Sequence, residues 1–297
     1  MTSGQRGFLL LTSHFGDPER KCLTVAQFRE LAQRVPAAAP QASMREMEIS
    51  DLRALGYGQR QAEQILCLLS QEGLLDSYLR LGEKQGCAVM TRLSELYPQG
   101  LRTRLGLDAP GCLWYKGDAS ILEQPKVSLV GSRDIRAENA EFAHQVGLQA
   151  ARQGFTLVSG NARGADRIAQ EACLEAGGTV ISVLADALSN RRPRERVLYL
   201  SEDSFDLPFS ALRALSRNRI IHALSCLVLV AQCGEQAGGT WSGTTRNLRH
   251  NWSRVCCFDD ESESVRLLCQ MGAEKIQLSQ LADLTTLSQP EPNLFFL

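Results

Sequence analysis

Between Val127 and Asp166 the chain passes twice through the same sequence of events. Val127-Ser128-Leu129-Val130 is a short apolar run that turns at once into Gly131-Ser132-Arg133, and a helical pattern follows from about Ala137 to Gln153. Phe155 to Val158 is a second apolar run. It turns into Ser159-Gly160-Asn161-Ala162-Arg163-Gly164-Ala165-Asp166 and leads into another helical pattern. Each unit predicts a buried strand, a turn of small residues carrying one arginine, and a helix. Units of this kind in tandem demand parallel strands joined by right-handed crossovers, which leaves few folds. Glycine lets a backbone approach a ligand closely, and a helix N-terminus offers free N–H groups and positive dipole to an anion. Two such turns at the carboxyl ends of neighbouring strands describe an anion-binding crevice. The same glycines also fit tight strand–helix turns with no ligand at all, and the residues themselves leave both readings open.

The pattern continues along the chain. Apolar runs at Thr179–Leu184, Cys226–Ala231 and Val255–Phe258 alternate with helical patterns at Ala165–Ala176, Phe209–Ser225 and Thr240–Asn251. Short runs without polar alternation belong to strands covered on both faces, so the expected class is α/β with a parallel sheet. Residues 1–85 show only short helical patterns and predict a small N-terminal helical (SAM/HhH-like) domain. Residues 86–125 read as a connector packing on the next domain, with a strand at Cys87–Met90 and Trp114 as a buried anchor. Residues 126–278 form the α/β domain, and 279–297 a C-terminal helix and tail.

Composition narrows the chemistry. Formal net charge is −1 over 297 residues, so nothing in the whole-molecule charge favours nucleic acid, and an anion site has to be a local patch. Arginine supplies that patch: Arg133 and Arg163 follow the first two strands, and Arg217 and Arg219 flank Asn218 in the helix before the fourth. Arginine's planar fork holds phosphate bidentately. Two arginines two residues apart on a helix point apart, so one is free for a ligand while the other pairs with an acid such as Asp166 or Glu202. Gly238-Gly239-Thr240-Trp241-Ser242-Gly243-Thr244 opens the helix after the fourth strand, a third anion turn by the same physics. Trp241 there either stacks on a base or packs. The ten cysteines form no C-x-x-C pair and the four histidines no ligand cluster, which predicts reduced, buried thiols and no metal. No G-x-G-x-x-G follows the first strand and no Walker lysine is present, so no cofactor is expected. No nucleophile–base–acid set can be argued, so no catalytic residue is assigned. The Gly7–Leu11 apolar run is too short for a signal-peptide core and no 18-residue apolar span exists. The chain is expected in the cytoplasm, away from membranes.

Val130-Gly131-Ser132-Arg133, the Ser159–Asp166 loop and Arg217-Asn218-Arg219-Ile220-Ile221, in that order, resemble the DNA-processing protein A (DprA/Smf) family. Leu96-Tyr97-Pro98, Leu113–Asp118 and Leu267–Ala273 agree, and the resemblance covers about residues 95–276. It departs after the third strand, where Ala185–Arg192 replaces a glycine-bearing turn, and after the fifth, where Asp259-Asp260 stands in place of Pro-Gly. The resemblance implies an extended Rossmann-like fold and a non-enzymatic binder of single-stranded DNA. It further implies a protein that is often a homodimer and assists RecA loading in natural transformation. Gly131, Ser132 and Arg133 with Ser159, Gly160, Asn161, Ala162, Arg163 and Gly164 would then meet DNA phosphates. Arg217, Asn218, Arg219, Gly239 and Thr240 complete the candidate set on the turn and helix arguments above. The alternative is a nucleotide-binding sensor or phosphoribohydrolase-like enzyme. Gly238–Thr244 is similar to the Pro-Gly-Gly-x-Gly-Thr-x-x-Glu loop of such enzymes, with Ala237 for the proline and Asn247 near the expected glutamate. The tail, with Gln289 and Leu294-Phe295-Phe296, resembles short sliding-clamp motifs or simply packs on the domain.

Overall fold

Nine strands hydrogen-bond into one sheet in the computed structural model, which describes residues 1–38, 47–202 and 204–289. They are β1 (Ala88–Thr91), β2 (Cys112–Lys116), β3 (Lys126–Val130), β4 (Thr156–Ser159), β5 (Val180–Leu184), β6 (Val197–Glu202), β7 (Leu227–Val230), β8 (Arg254–Phe258) and β9 (Glu274–Ile276). The order across the sheet is β1-β2-β6-β5-β4-β3-β7-β8-β9. From β6 to β9 every pairing is parallel, and β1 and β2 add an antiparallel edge beyond β6. The chain climbs outward from β3 through β4, β5 and β6, then returns to place β7 on the other side of β3. The strand order therefore reverses between β3 and β7, and the loops leaving these two strands diverge and open a crevice.

Five helices precede the sheet: α1 (Ser3–Thr12), α2 (Val25–Ala38), α3 (Ile49–Ala54), α4 (Gln59–Leu69) and α5 (Glu72–Lys84). Seven follow: α6 (Gln99–Leu105), α7 (Ala137–Arg152), α8 (Ala165–Glu175), α9 (Ala211–Leu224), α10 (Gly238–His250), α11 (Glu263–Gln270) and α12 (Leu284–Ser288). Period-two alternation along each strand sorts its side chains between two cores. Val127, Leu129, Leu227 and Leu229 pack with Phe142 and Val146 of α7 and Ala169 and Cys173 of α8. Val130, Val228 and Val230 pack on the other face with Leu101 of α6, Ile220 and Leu224 of α9 and Leu268 of α11. This is the α/β, extended Rossmann-like sheet with a helical N-terminal part that the sequence predicts.

The edge differs from expectation. Residues 86–125, read as a connector, contribute two strands to the sheet itself. Between β5 and β6 there is only the short 3-10 turn Leu188–Asn190, so the strand–helix alternation that revealed the other strands is missing there. Trp114 on β2 is 2% exposed, with ring centroids 5.3 Å from Tyr78 and 4.6 Å from Phe205. Leu9, Leu10 and Leu75 share that cluster, so the N-terminal helices and the sheet edge have a common core. The apolar run Phe8–Leu11 lies within α1, which opens on a capping box between Thr2 and Gln5. All ten cysteines are free; Cys67 and Cys226, expected inside, are exposed. Among the described residues no helix is long and apolar enough to cross a membrane. The Leu294-Phe295-Phe296 reading lies outside the described residues.

Candidate anion-binding crevice at the switch point

The three turns predicted from the sequence meet at the carboxyl ends of β3, β4 and β7. They are tied together by hydrogen bonds. Ala165 N donates to Ser132 O (3.2 Å), Thr240 Oγ1 to Gly131 O (3.0 Å), and Asn218 Nδ2 on α9 to Gly239 O (3.0 Å). Close approach explains the glycines. A Cβ on Gly131 would fall 2.4 Å from the Ala165 methyl, and one on Gly164, whose φ is +83°, would fall 2.4 Å from Ser132 O. The two glycines thus serve the joint between turns whether or not a ligand comes.

The joined turns enclose a crevice of about 830 Å³, with an adjoining lobe of about 430 Å³ that shares Arg133, Ala162, Phe209 and Arg217 with it. Arg217 forms the floor. It is 7% exposed, and its Nε and Nη1 find no hydrogen-bond partner among the described residues. Gly160 makes room for it: a Cβ there would lie 1.4 Å from Nη1. Asp166 supplies the compensating charge. Burial pushes its carboxyl up from the ordinary range, while Arg217 and the N–H groups of Ala162 and Gly160 draw it down. Burial pushes the Arg217 guanidinium down, with Asp166 pulling the other way. An arginine stays protonated at neutral pH regardless. Arg133 is exposed on the lining and makes no ion pair among the described residues.

The N-terminus of α10 opens on the same space. No side chain caps it and its first turn holds no acid, so its dipole faces the crevice without a local counter-charge. The carboxylates on the lining are each engaged. Asp134 pairs with Arg163 at 2.6 Å, Asp186 pairs with Arg191, and Asp166 accepts from the Gly160 and Ala162 amides. No three potential metal ligands come together among the described residues. A cation pair, an uncapped helix start and engaged carboxylates suit the holding of an anion.

Gly131, Ser132, Arg133, Gly160, Asn161, Ala162, Arg163, Arg217, Asn218, Gly239 and Thr240 all line the crevice or its lobe. Three candidates do not. The Ser159 hydroxyl is buried and accepts from Gln170 Nε2. Gly164 acts in the joint between turns. Arg219 turns away to Glu202, with Nη1 2.9 Å from Oε2, and its Nε donates to Asp108 O. One helix carries both arginines, and the two-residue offset sends them to opposite tasks. The loop amides are also partly spent: Gly160 N and Ala162 N donate to Asp166 Oδ2 at 3.1 and 3.2 Å, so these two are not free for phosphate. Trp241 packs against the core. Asn247, near the position of a hydrolytic glutamate, is fully buried and bonded to Ser253 and His222.

Sequence reasoning passed over Phe209, Leu215 and His222, which also line the crevice. The signal was available for two of them. Leu215 and His222 lie three and four residues either side of Asn218, on the same face of α9. Phe209, read as the start of the helical pattern, lies before α9 begins at Ala211, so helical spacing does not place it on this face.

A family model described as DNA recombination-mediator protein A matches residues 88–280. Protein Smf of Escherichia coli is 30% identical over 198 residues, 63% of this chain and 52% of that protein. DNA processing protein DprA of Streptococcus pneumoniae is 33% identical over 156 residues, 49% of this chain and 54% of that protein. The chain thus spans about half the length of the curated relatives it matches. The X-ray structure of DprA from S. pneumoniae aligns over 87% of this chain and 96% of its own, with TM-score 0.64 and 24% identity. DNA processing protein A from Helicobacter pylori, whose structure is described in terms of its single-stranded DNA binding mode, aligns over 69% and 97%, with TM-score 0.57 and 21% identity. At these identities the two structures establish the shared fold.

Proposed function

The chain belongs to the DNA recombination-mediator protein A family, and on that premise we propose that its crevice binds single-stranded DNA without catalysing a reaction on it. The observation that carries this reading is Arg217. A buried guanidinium with two unpartnered nitrogens costs stability, about 1–3 kcal/mol for an unmet donor, unless an anion meets it. Arg133 stands on the same lining with no ion pair among the described residues, and the bare start of α10 faces both. Arg133 and Arg217 would take successive phosphates and the α10 start would add dipole. Affinity then comes from backbone charge and is indifferent to sequence at these points. The single-stranded DNA of the H. pylori protein supports the choice of ligand. The wider family expectation belongs to the same proposal: a cytoplasmic homodimer that hands bound DNA to RecA.

Titrating labelled single-stranded DNA, duplex DNA and nucleoside monophosphates across a salt series tests the reading. Single strand should bind most tightly and weaken steeply with salt. Tight binding of a monophosphate with release of free base would instead favour the nucleotide-enzyme alternative.

A further inference from the structure

Below the lip of the crevice a groove runs between α9 and α10, lined by Leu215, Asn218 and His222 on one side and Gly239 and Ser242 on the other. Glycine again permits the approach: a Cβ at Gly243 would lie 3.1 Å from His222 Nε2. His222 is 1% exposed, and its neighbours fix its tautomer. Ser253 N donates to Asn247 Oδ1 at 3.0 Å, which sets the orientation of that amide. Asn247 Nδ2 therefore faces Ser253 Oγ (2.8 Å) and His222 Nδ1 (3.1 Å). Nδ1 is the acceptor in that contact, so the ring proton sits on Nε2. No described residue accepts from Nε2–H. Burial keeps the ring neutral, its imidazole pushed down to about 3. Asn218 spends its Nδ2 on Gly239 O, which leaves its Oδ1 as an acceptor, and Ser242 adds an exposed hydroxyl.

We propose that this groove is a nucleobase slot, in which His222 Nε2–H donates to a ring nitrogen or carbonyl oxygen of one unpaired base while Asn218 Oδ1 and the Ser242 hydroxyl meet its remaining edge. The lining selects a base over another phosphate. Its donor is uncharged and its walls include the half-exposed Leu215 and Ala214, whereas the cations that suit phosphate are Arg217 on the floor of the main crevice and Arg133 exposed on its lining. A paired base has its edge occupied, so the slot discriminates against duplex. The inference rests on the single-stranded DNA reading above.

A double comparison separates the two. Fluorescence anisotropy is measured for a labelled thymidine dodecamer and for the same backbone with abasic sugars, against the wild-type chain, His222→Phe, Ser242→Ala and Arg133→Ala, with melting curves for each. His222→Phe should lose about three- to tenfold in affinity for the intact strand, the worth of one neutral hydrogen bond, and nothing for the abasic one. Ser242→Ala, at an exposed position, should show a smaller loss in the same sense. Equal losses on both strands, or no loss from either variant while Arg133→Ala still binds weakly, overturn the slot alone. If Arg133→Ala also binds both strands like the wild type, the single-stranded DNA reading falls with it.

Discussion

At the scale of single residues, the site turns on the fit between Gly160 and Arg217. The sequence revealed the glycine-bearing turn and its arginines because such turns need small residues in a fixed order. It could not reveal that Asp166 would claim the Gly160 and Ala162 amides, since a carboxylate's partner is chosen by the three-dimensional joint. Gly160 is not held at positive φ, so an alanine is acceptable to the backbone, yet its Cβ would displace the guanidinium. Gly160→Ala should therefore reduce affinity for single-stranded DNA by about ten- to hundredfold, the worth of a charged hydrogen bond, while the melting temperature stays within a few degrees. Wild-type affinity in anisotropy titrations of a well-folded Gly160→Ala chain would mean that the placement of Arg217 does not matter.

At the scale of elements, α9 is the helix on which the site hangs. Its Arg217 floors the crevice, its Arg219 anchors to Glu202, and its Asn218 and His222 face α10. His222 gives this packing a pH signature. In the folded chain burial pushes its imidazole down to about 3, against about 6.5 when unfolded. As pH falls the unfolded chain takes up the proton first. The contribution of His222 is therefore complete above about pH 6.5 and declines by about 1.4 kcal/mol per pH unit below it. His14 shifts the other way, raised chiefly by its contact with Cys22, so the comparison must be with a variant rather than with the wild type alone. Denaturant midpoints at about pH 7 and about pH 5.5 should drop less for His222→Gln than for the wild type, because the variant has no imidazole to protonate. Identical drops would mean that His222 is not held neutral in the fold.

At the scale of the whole molecule, a chain of net charge −1 sets Arg133 and Arg217 together at one reversal of strand order. The five central parallel strands were legible because each is an apolar run buried on both faces and bordered on at least one side by a helix. At the edge only β1 was legible, as the apolar run Cys87–Met90; β2 pairs antiparallel beside it, β6 follows β5 without a helix, and β9 has three residues, so these three carry no periodic signal of their own. Trp114 was legible as an anchor, but its partners Tyr78 and Phe205 lie far apart in sequence and only the fold unites them. The charge map leads to the most direct test of the DNA-backbone claim: the slope of log affinity against log salt for single-stranded DNA, in the wild type and in Arg133→Ala. Arg133 is exposed and its truncation should leave stability unchanged within about 0.5 kcal/mol. The slope should become shallower by about 0.7, the contribution of one phosphate contact on a single strand, and affinity should fall alike for every base sequence. An unchanged slope with unchanged low-salt affinity would contradict the claim that the crevice holds a DNA backbone.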